Sequence, residues 1–274
     1  MSRYHSATPV AMLGSLFRHR ELLWELVKRD FIGRYKGSLL GVVWSLFNPL
    51  LMLAIYTVVF SVAFKAKWGG TGEESKVSFA IVLFSGMIIH SFFAECINRA
   101  PNLIISHPQY VKKVIFPLEI LPWMAMFSAL LHFLVSFGVL LAFCLLAGVT
   151  IHIGVLLTPV ILFPLFLMIL GFSWAFASLG VYLRDLSQVI GMLTTVALFM
   201  APIFYPIDAL PEDYRNFLLG NPITLPVIQL RDLMLWGKPI LWEQWAASLI
   251  IGLLICQTGY WWFQKSRRGF ADVL

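Results

Sequence analysis

Six stretches of this sequence stay apolar long enough to leave few choices of fold: residues 38–64, 77–96, 115–147, 152–182, 186–206 and 243–263. A bilayer core of about 30 Å is crossed by roughly 20 helical residues rising about 1.5 Å each. Hydrophobic residues are 59% of the 274 and charged residues only 12%, whereas a soluble chain carries about a quarter charged. So much apolar surface cannot be hidden inside a ball of this length, and lipid is the expected solvent. A backbone in hydrocarbon must satisfy its own hydrogen bonds, which leaves helices or closed barrels. The period-2 alternation of barrel strands is absent. The expectation is an all-α integral membrane protein with six transmembrane helices in one domain, residues 38–264, with no internal repeat.

Charge sets the orientation. With the N-terminus inside and six alternating spans, 14 of the 20 basic residues fall on the cytoplasmic side and 6 outside, the sense of the positive-inside rule. Both termini then face the cytoplasm, and residues 265–274 form a cytoplasmic tail. The net charge of +6 serves orientation and contact with anionic lipid heads rather than nucleic acid. The first strongly apolar run starts too late for a cleavable signal.

Residues 1–37 form the approach to the membrane. Over 12–32, Leu13, Leu16, Phe17, Leu23, Trp24, Val27 and Phe31 share one helical face, with Arg18, Glu21, Glu25, Lys28 and Arg29 opposite. Such a helix lies in the interface plane. "RDFIGRYKGSLLGVVWSLFNPLLMLAIYTVVFSVAF", residues 29–64, then carries it into the first span. Arg34, Tyr35 and Lys36 fall at headgroup level, as topology anchors or as something more.

Two connections stand out. Residues 97–114 make the main cytoplasmic loop, with Arg99, Lys112 and Lys113 holding it in water and Pro101 and Pro108 bracketing a short helix. That helix serves either packing or docking. Residues 207–238 lie outside but are too apolar for a plain loop. Pro211 and Gly220 frame one short helix; Asn221-Pro222 opens a second that Gly237 closes. Each is too short to span, so both are expected to dip back from the outer surface.

Catalytic motifs are missing. "GRYKGS" at 33–38 has phosphate-loop letters at the wrong spacing and no preceding strand, and there is no HExxH. Cys96, Cys144 and Cys256 sit in or beside spans without a CxxC pair, as buried small hydrophobes. His90 and His132 lie within spans, where a neutral hydrogen-bonded imidazole is expected. Glu119 reads as the acidic residue inside the second to fourth spans, able to pair with a nearby cation, and Arg184-Asp185 reads as a local ion pair at a tight turn. No nucleophile–base arrangement emerges. The chain is expected to catalyse nothing by itself and to bind no metal or cofactor.

Aromatic residues are 15% of the chain, most of them suited to packing and interfacial belts. Some share stripes with polar groups: Trp44 and Asn48 with Phe47 at the edge, and Gln188, Met192, Thr195 and Phe199 at i, i+4, i+7 and i+11. A polar–aromatic stripe suits a conduit for something with hydroxyls and CH faces, such as a sugar chain.

Several stretches together resemble a known family. Residues 29–64, "FPLEILP" at 116–122, "FYPID" at 204–208 and "NPIT" at 221–224 followed by Arg231 are similar, in order, to the membrane subunits of polysaccharide ABC exporters of the ABC-2 type. The resemblance implies a six-span homodimer around a channel in the bacterial inner membrane, docked to two copies of a separate ATPase subunit that binds ATP and Mg. The implied cargo is a polysaccharide on a polyprenyl pyrophosphate: O antigen, capsule or teichoic-type polymer. Arg34, Tyr35 and Lys36 would then meet the lipid head, and Trp44, Phe47, Asn48, Gln188, Met192, Thr195 and Phe199 would line the channel. Arg99, Asn102, His107 and Tyr110 would couple to the ATPase, and Tyr205, Tyr214 and Arg231 would belong to a periplasmic gate. Two alternatives stay open: an ABC-2 exporter of a small molecule, and a membrane enzyme acting on a polyprenyl lipid.

Overall fold

The computed structural model describes residues 8–63, 76–111 and 116–274, and these are all-helical, without strands. The helices are α1 (Pro9–Arg18), α2 (Arg20–Gly33), α3 (Trp44–Tyr56), α4 (Lys76–Arg99), α5 (Pro108–Val111), α6 (Ile120–Leu146), α7 (Thr158–Tyr182), α8 (Leu186–Met200), α9 (Glu212–Leu219), α10 (Thr224–Leu235), α11 (Trp242–Ser266) and α12 (Phe270–Val273). Among the described residues, five segments are long and apolar enough to cross a membrane: Gly41–Phe60, Phe79–Asn102, Ile120–Leu146, Ile153–Tyr182 and Trp242–Val273.

The sixth expected span, 186–206, is helical only as far as Met200. Fifteen residues rise about 22 Å, short of a bilayer core. Irregular backbone at such depth needs donors from the protein, and they are supplied. Asn221 Nδ2 donates to Ala197 O at 2.8 Å, Tyr205 donates to Phe199 O at 3.2 Å, and Arg231 donates to Pro202 O and Ile203 O at 2.5 and 3.1 Å.

The expected helix over 12–32 is two helices broken at His19, where φ is −108° and ψ 22°. Thr8 caps α1 through Ala11 N at 3.3 Å, and Pro9 opens it. Leu23, Leu26 and Val27 are buried, with α2 packed on α6, while Phe17 and Trp24 stay exposed at 68% and 53%.

Contacts sort the helix ends into two groups. At one end Arg99 meets Asp30, Pro101 meets Gly180, Glu119 meets Arg267, and Tyr182 meets Ser266. At the other, Phe60 meets Phe79, Arg231 meets Ser85 and Ile203, and His152 N donates to Met234 O. So α3, α4, α6, α7, α8 and α11 run alternately between the two ends, and α1 and α12 lie at the same one. The most enclosed of these is α4, with Ile81, Leu83 and Ile89 fully buried.

Small residues let α7 and α11 close on each other. A methyl built on Gly171 would strike the Ile255 backbone, and one on Gly259 would strike the Gly171 carbonyl. Lipid tails are as apolar as leucine, so membrane helices gain by close backbone approach rather than by apolar burial alone. The three cysteines are buried and free. Glu119 finds its cation: Arg267 Nη1 lies 2.7 Å from Oε2, and Ser15 donates to Oε1 at 3.2 Å. Arg184 and Asp185, exposed in the turn between α7 and α8, form no ion pair among the described residues. The Asp185 carbonyl accepts from Gln188 N at 3.0 Å.

The short helix expected between Pro101 and Pro108 is a 3₁₀ turn at Ala100–Asn102, then irregular turns, then α5 starting at Pro108. Lys112 and Lys113 lie outside the described residues. The two helices expected within 207–238 form close to the proline and glycine signals: Pro211 caps α9, Gly220 ends it, and Gly237 at φ 61° turns the chain after α10. Nearly all of α10 is buried against α4, α7 and the 3₁₀ turn Ile153–Leu157.

Candidate functional site

The site begins where α2 ends. Arg34 closes α2, and Gly37 and Gly41, at φ 87° and 51°, let the chain turn into α3, which begins at Trp44. This turn brings Arg34 and Tyr35 against the C-terminal half of α4 and the middle of α6.

There they meet two groups of opposite character. Arg34 Nη1 lies 2.5 Å from Glu95 Oε1, and Nη2 lies 3.5 Å from Asp30 Oδ2. His132 Nδ1 is 3.2 Å from Glu95 Oε2, and its Nε2 is 2.9 Å from the Tyr35 hydroxyl. One tautomer satisfies both contacts: Tyr35 donates to Nε2, and Nδ1–H donates to Glu95. Arg34 Nη1, 3.2 Å from Nδ1, is then a neighbour of the imidazole rather than its donor. Arg99 completes the cluster with a two-pronged grip on Asp30, Nη2 to Oδ1 at 2.6 Å and Nη1 to Oδ2 at 3.0 Å. Two guanidinium groups and two carboxylates balance, so the set can sit at the membrane edge without stranded charge.

Burial pushes the Asp30 carboxyl up, but the Arg99 fork and the Arg34 charge outweigh it and hold the group below its usual range. Burial raises the Tyr35 phenol, which therefore stays a neutral donor. Lys36, expected beside its two neighbours, is exposed and faces a different groove of about 950 Å³ with Lys28, Arg29 and Tyr110. The ion cluster opens instead into a cavity of about 300 Å³ between α3, α4 and α6.

The residues read as coupling positions divide. Arg99 is committed inward to Asp30. Tyr110 is buried, stacked on Phe116 with centroids 4.1 Å apart and on His107 at 5.3 Å, and its hydroxyl accepts from Arg29. His107 Nδ1 lies 2.9 Å from Leu103 O. Asn102 is exposed. The turn it occupies sits on the end of α7, where Gly180 admits the Pro101 carbonyl against its backbone.

Trp44, Phe47 and Asn48 on α3 are exposed, as are Gln188, Met192, Thr195 and Phe199 on α8. Met192 and Phe199 are 69% and 63% exposed, and Phe199 stacks on Phe204 with centroids 5.7 Å apart, so these faces are left largely open among the described residues. α4 lies against both helices. Ser91 and Asn98 are exposed polar positions on α4, and Thr194 of α8 donates to Asn98 Oδ1 at 3.0 Å. At the far end, Tyr214 is 62% exposed on α9. Arg231 is 2% exposed, with its guanidinium donating to Val82 O, Ser85 Oγ, Pro202 O and Ile203 O. Gly86 leaves the room: a Cβ there would lie 2.7 Å from Nη2.

Sequence reasoning passed over Asp30 and Glu95 and took Glu119 as the acidic residue inside the second to fourth spans. Glu95 lies inside α4, a full turn before its end. The signal was present, since Asp30–Arg34 and Glu95–Arg99 are both i, i+4 pairs of opposite charge at a span boundary. His132 is hydrogen-bonded as expected, but to an ion cluster; His90 bonds Thr194 O at 3.0 Å.

Over residues 21–235 the sequence matches the ABC-2 type transporter family. It is 27% identical to the O-antigen export system permease protein RfbA of Klebsiella pneumoniae over 263 residues, covering 96% of this chain and 97% of that protein. It is 26% identical to the protein of the same name from Myxococcus xanthus, covering 78% of this chain and 80% of that one. The polysialic acid transport protein KpsM of Escherichia coli is 22% identical, over 77% of this chain and 80% of its own length.

Proposed function

The chain belongs to the ABC-2 type transporter family, and from that premise we propose that it is the channel-forming subunit of an ATP-driven exporter for a polysaccharide carried on a polyprenyl pyrophosphate. Relatives named for O-antigen export and polysialic acid transport support the cargo class. A separate ATPase subunit supplies ATP hydrolysis, and two copies of this chain form the channel. The positive-inside charge supports placing both termini on the cytoplasmic side of the inner membrane. The cluster around Arg34 then lies at the cytoplasmic headgroup level, and α9 and α10 at the periplasmic side.

The observation that carries the reading is Arg34. Its fork stands at the end of an interfacial helix, held by carboxylates and open to a cavity. A guanidinium exchanges a carboxylate for a phosphate with the same paired geometry. Pyrophosphate would take Arg34 from Glu95, and His132 would keep Glu95 hydrogen-bonded. Loss of Glu95 from Arg34 also loosens its neighbour Asp30, and with it the Arg99 grip beside the 100–111 segment where the ATPase would dock. The exposed stripes of α3 and α8 would face each other across the dimer as the conduit. Arg231 would anchor the gate rather than move in it, leaving Tyr205 and Tyr214 nearer the exit.

Reconstitution with the partner ATPase tests this. Lipid-linked glycan should stimulate ATP hydrolysis and appear in the lumen of inverted vesicles; Arg34→Ala should lose both at normal assembly, and Arg34→Lys should keep part. Wild-type export by correctly inserted Arg34→Ala protein would remove the headgroup role.

A further inference from the structure

The cavity beside Arg34 extends further than a diphosphate requires. From the ion cluster it runs between α3, α4 and α6, past Ser45, Asn48 and Ser91 toward Tyr56 and Phe84. The Asn48 amide, the Ser91 hydroxyl and the Tyr56 hydroxyl make no hydrogen bond to other described residues. Polar groups at bilayer depth are costly unless partnered. Here they point to an occupant that brings hydroxyls. The remaining wall, with Pro49, Met52 and Phe84, is apolar.

We propose that this cavity receives the sugar attached directly to the diphosphate, an inference that rests on the headgroup reading of Arg34. In a glycosyl diphosphate the sugar ring lies one bridging oxygen from the phosphate. A phosphate held by Arg34 therefore leaves the first ring at the cavity mouth. A pyranose is amphipathic in the same sense as the cavity, with a rim of hydroxyls and a CH face. Asn48 and Ser91 can each donate and accept. Glu95, released from Arg34, accepts from a sugar hydroxyl while His132 holds its other oxygen. The volume of about 300 Å³ is at the low end for small-molecule pockets, about 300–1,000 Å³. It suits one sugar residue rather than a chain. A prenyl tail in the same place would leave Asn48, Ser91 and Glu95 facing hydrocarbon, so the polar wall selects the sugar end of the lipid.

The test uses the assembled transporter in nanodiscs, with three short-chain prenyl diphosphate probes: bare, bearing one hexose, and bearing one N-acetylhexosamine. Equilibrium binding is measured for wild type, Asn48→Ala, Ser91→Ala and Arg34→Ala. At least one sugar probe should bind about tenfold tighter than the bare diphosphate, as expected of a site built to hydrogen-bond its ligand. Asn48→Ala and Ser91→Ala should shrink that preference several-fold and leave binding of the bare probe unchanged. Arg34→Ala should weaken all three. Equal binding of the three probes, still dependent on Arg34, would overturn the sugar site and leave the headgroup reading standing. A sugar preference that survives both cavity substitutions would place the sugar elsewhere and also overturn it. Binding indifferent to Arg34 would end the headgroup reading, and this inference with it.

Discussion

Arg99, the last residue of α4, holds Asp30 of α2 with both terminal nitrogens, at 2.6 and 3.0 Å. The pair ties α2 to the turn that follows α4, and its side chains are 28% and 17% exposed. A paired geometry this far from bulk water is worth more than a surface ion pair. A double-mutant cycle with Asp30→Asn and Arg99→Gln should return a coupling of about 1–3 kcal/mol in detergent unfolding. Additive single effects would show the two side chains act separately.

Acid should weaken the same pair in a predictable direction. The Asp30 carboxyl is held below its usual value in the folded protein. Its contribution is therefore complete above the unfolded value, about pH 4, and is lost as pH falls through the folded one. Wild type should lose stability below about pH 4 relative to Asp30→Asn, which should already be weaker at neutral pH. A wild type and Asp30→Asn that differ by the same amount at every pH would contradict the shift.

Tyr110 joins the 100–111 segment to α2 through Arg29. Tyr110→Phe keeps the stack on Phe116 and removes only the hydroxyl. It should leave ATPase assembly intact, cost about 1 kcal/mol of stability, and lower export per ATP hydrolysed. An unchanged transport-to-hydrolysis ratio would leave the contact a purely structural one.

Besides a bond to Val82 O within α4, Arg231 satisfies the carbonyls of Pro202 and Ile203, where the backbone past α8 is no longer helical. Arg231→Met should strand them and destabilise by about 3 kcal/mol or more. Gly86→Ala, which pushes into the guanidinium, should cost about 1–3 kcal/mol. Thermal unfolding of the purified protein measures both; a neutral Gly86→Ala would mean the guanidinium can shift aside.

Gly171 and Gly259 bring the α7 and α11 backbones into contact. Gly259→Ala has no flexible side chain to displace, only the Gly171 carbonyl, so the helices themselves must separate. A loss of about 1–3 kcal/mol is expected, larger than for Gly191→Ala, whose Cβ would meet nothing within 4 Å. Equal effects at the two positions would mean the seam is looser than its backbone contact implies.

The sequence alone determined the helical membrane fold, because hydrocarbon forbids unpaired backbone and about 20 apolar residues are a length signal that tertiary context cannot erase. It also determined the breaks at Pro211, Gly220 and Gly237, where backbone chemistry is local. What it could not determine was which ionisable groups meet. Asp30, Arg34, Glu95, Arg99 and His132 come from three helices, and nothing in residues 30 and 99 read separately says that they share a face. The same limit hid the internal ties of Arg99 to Asp30 and of Arg231 to buried carbonyls, at positions expected in coupling and gating. A guanidinium looks alike in sequence whether it faces water or buried carbonyls; only packing decides which acceptors reach it. The end of α8 mixes the two: Ala201, extended at ψ 148°, precedes Pro202, which cannot continue a helix, while Asn221, Tyr205 and Arg231 then supply the donors for the carbonyls of Ala197, Met200 and Pro202.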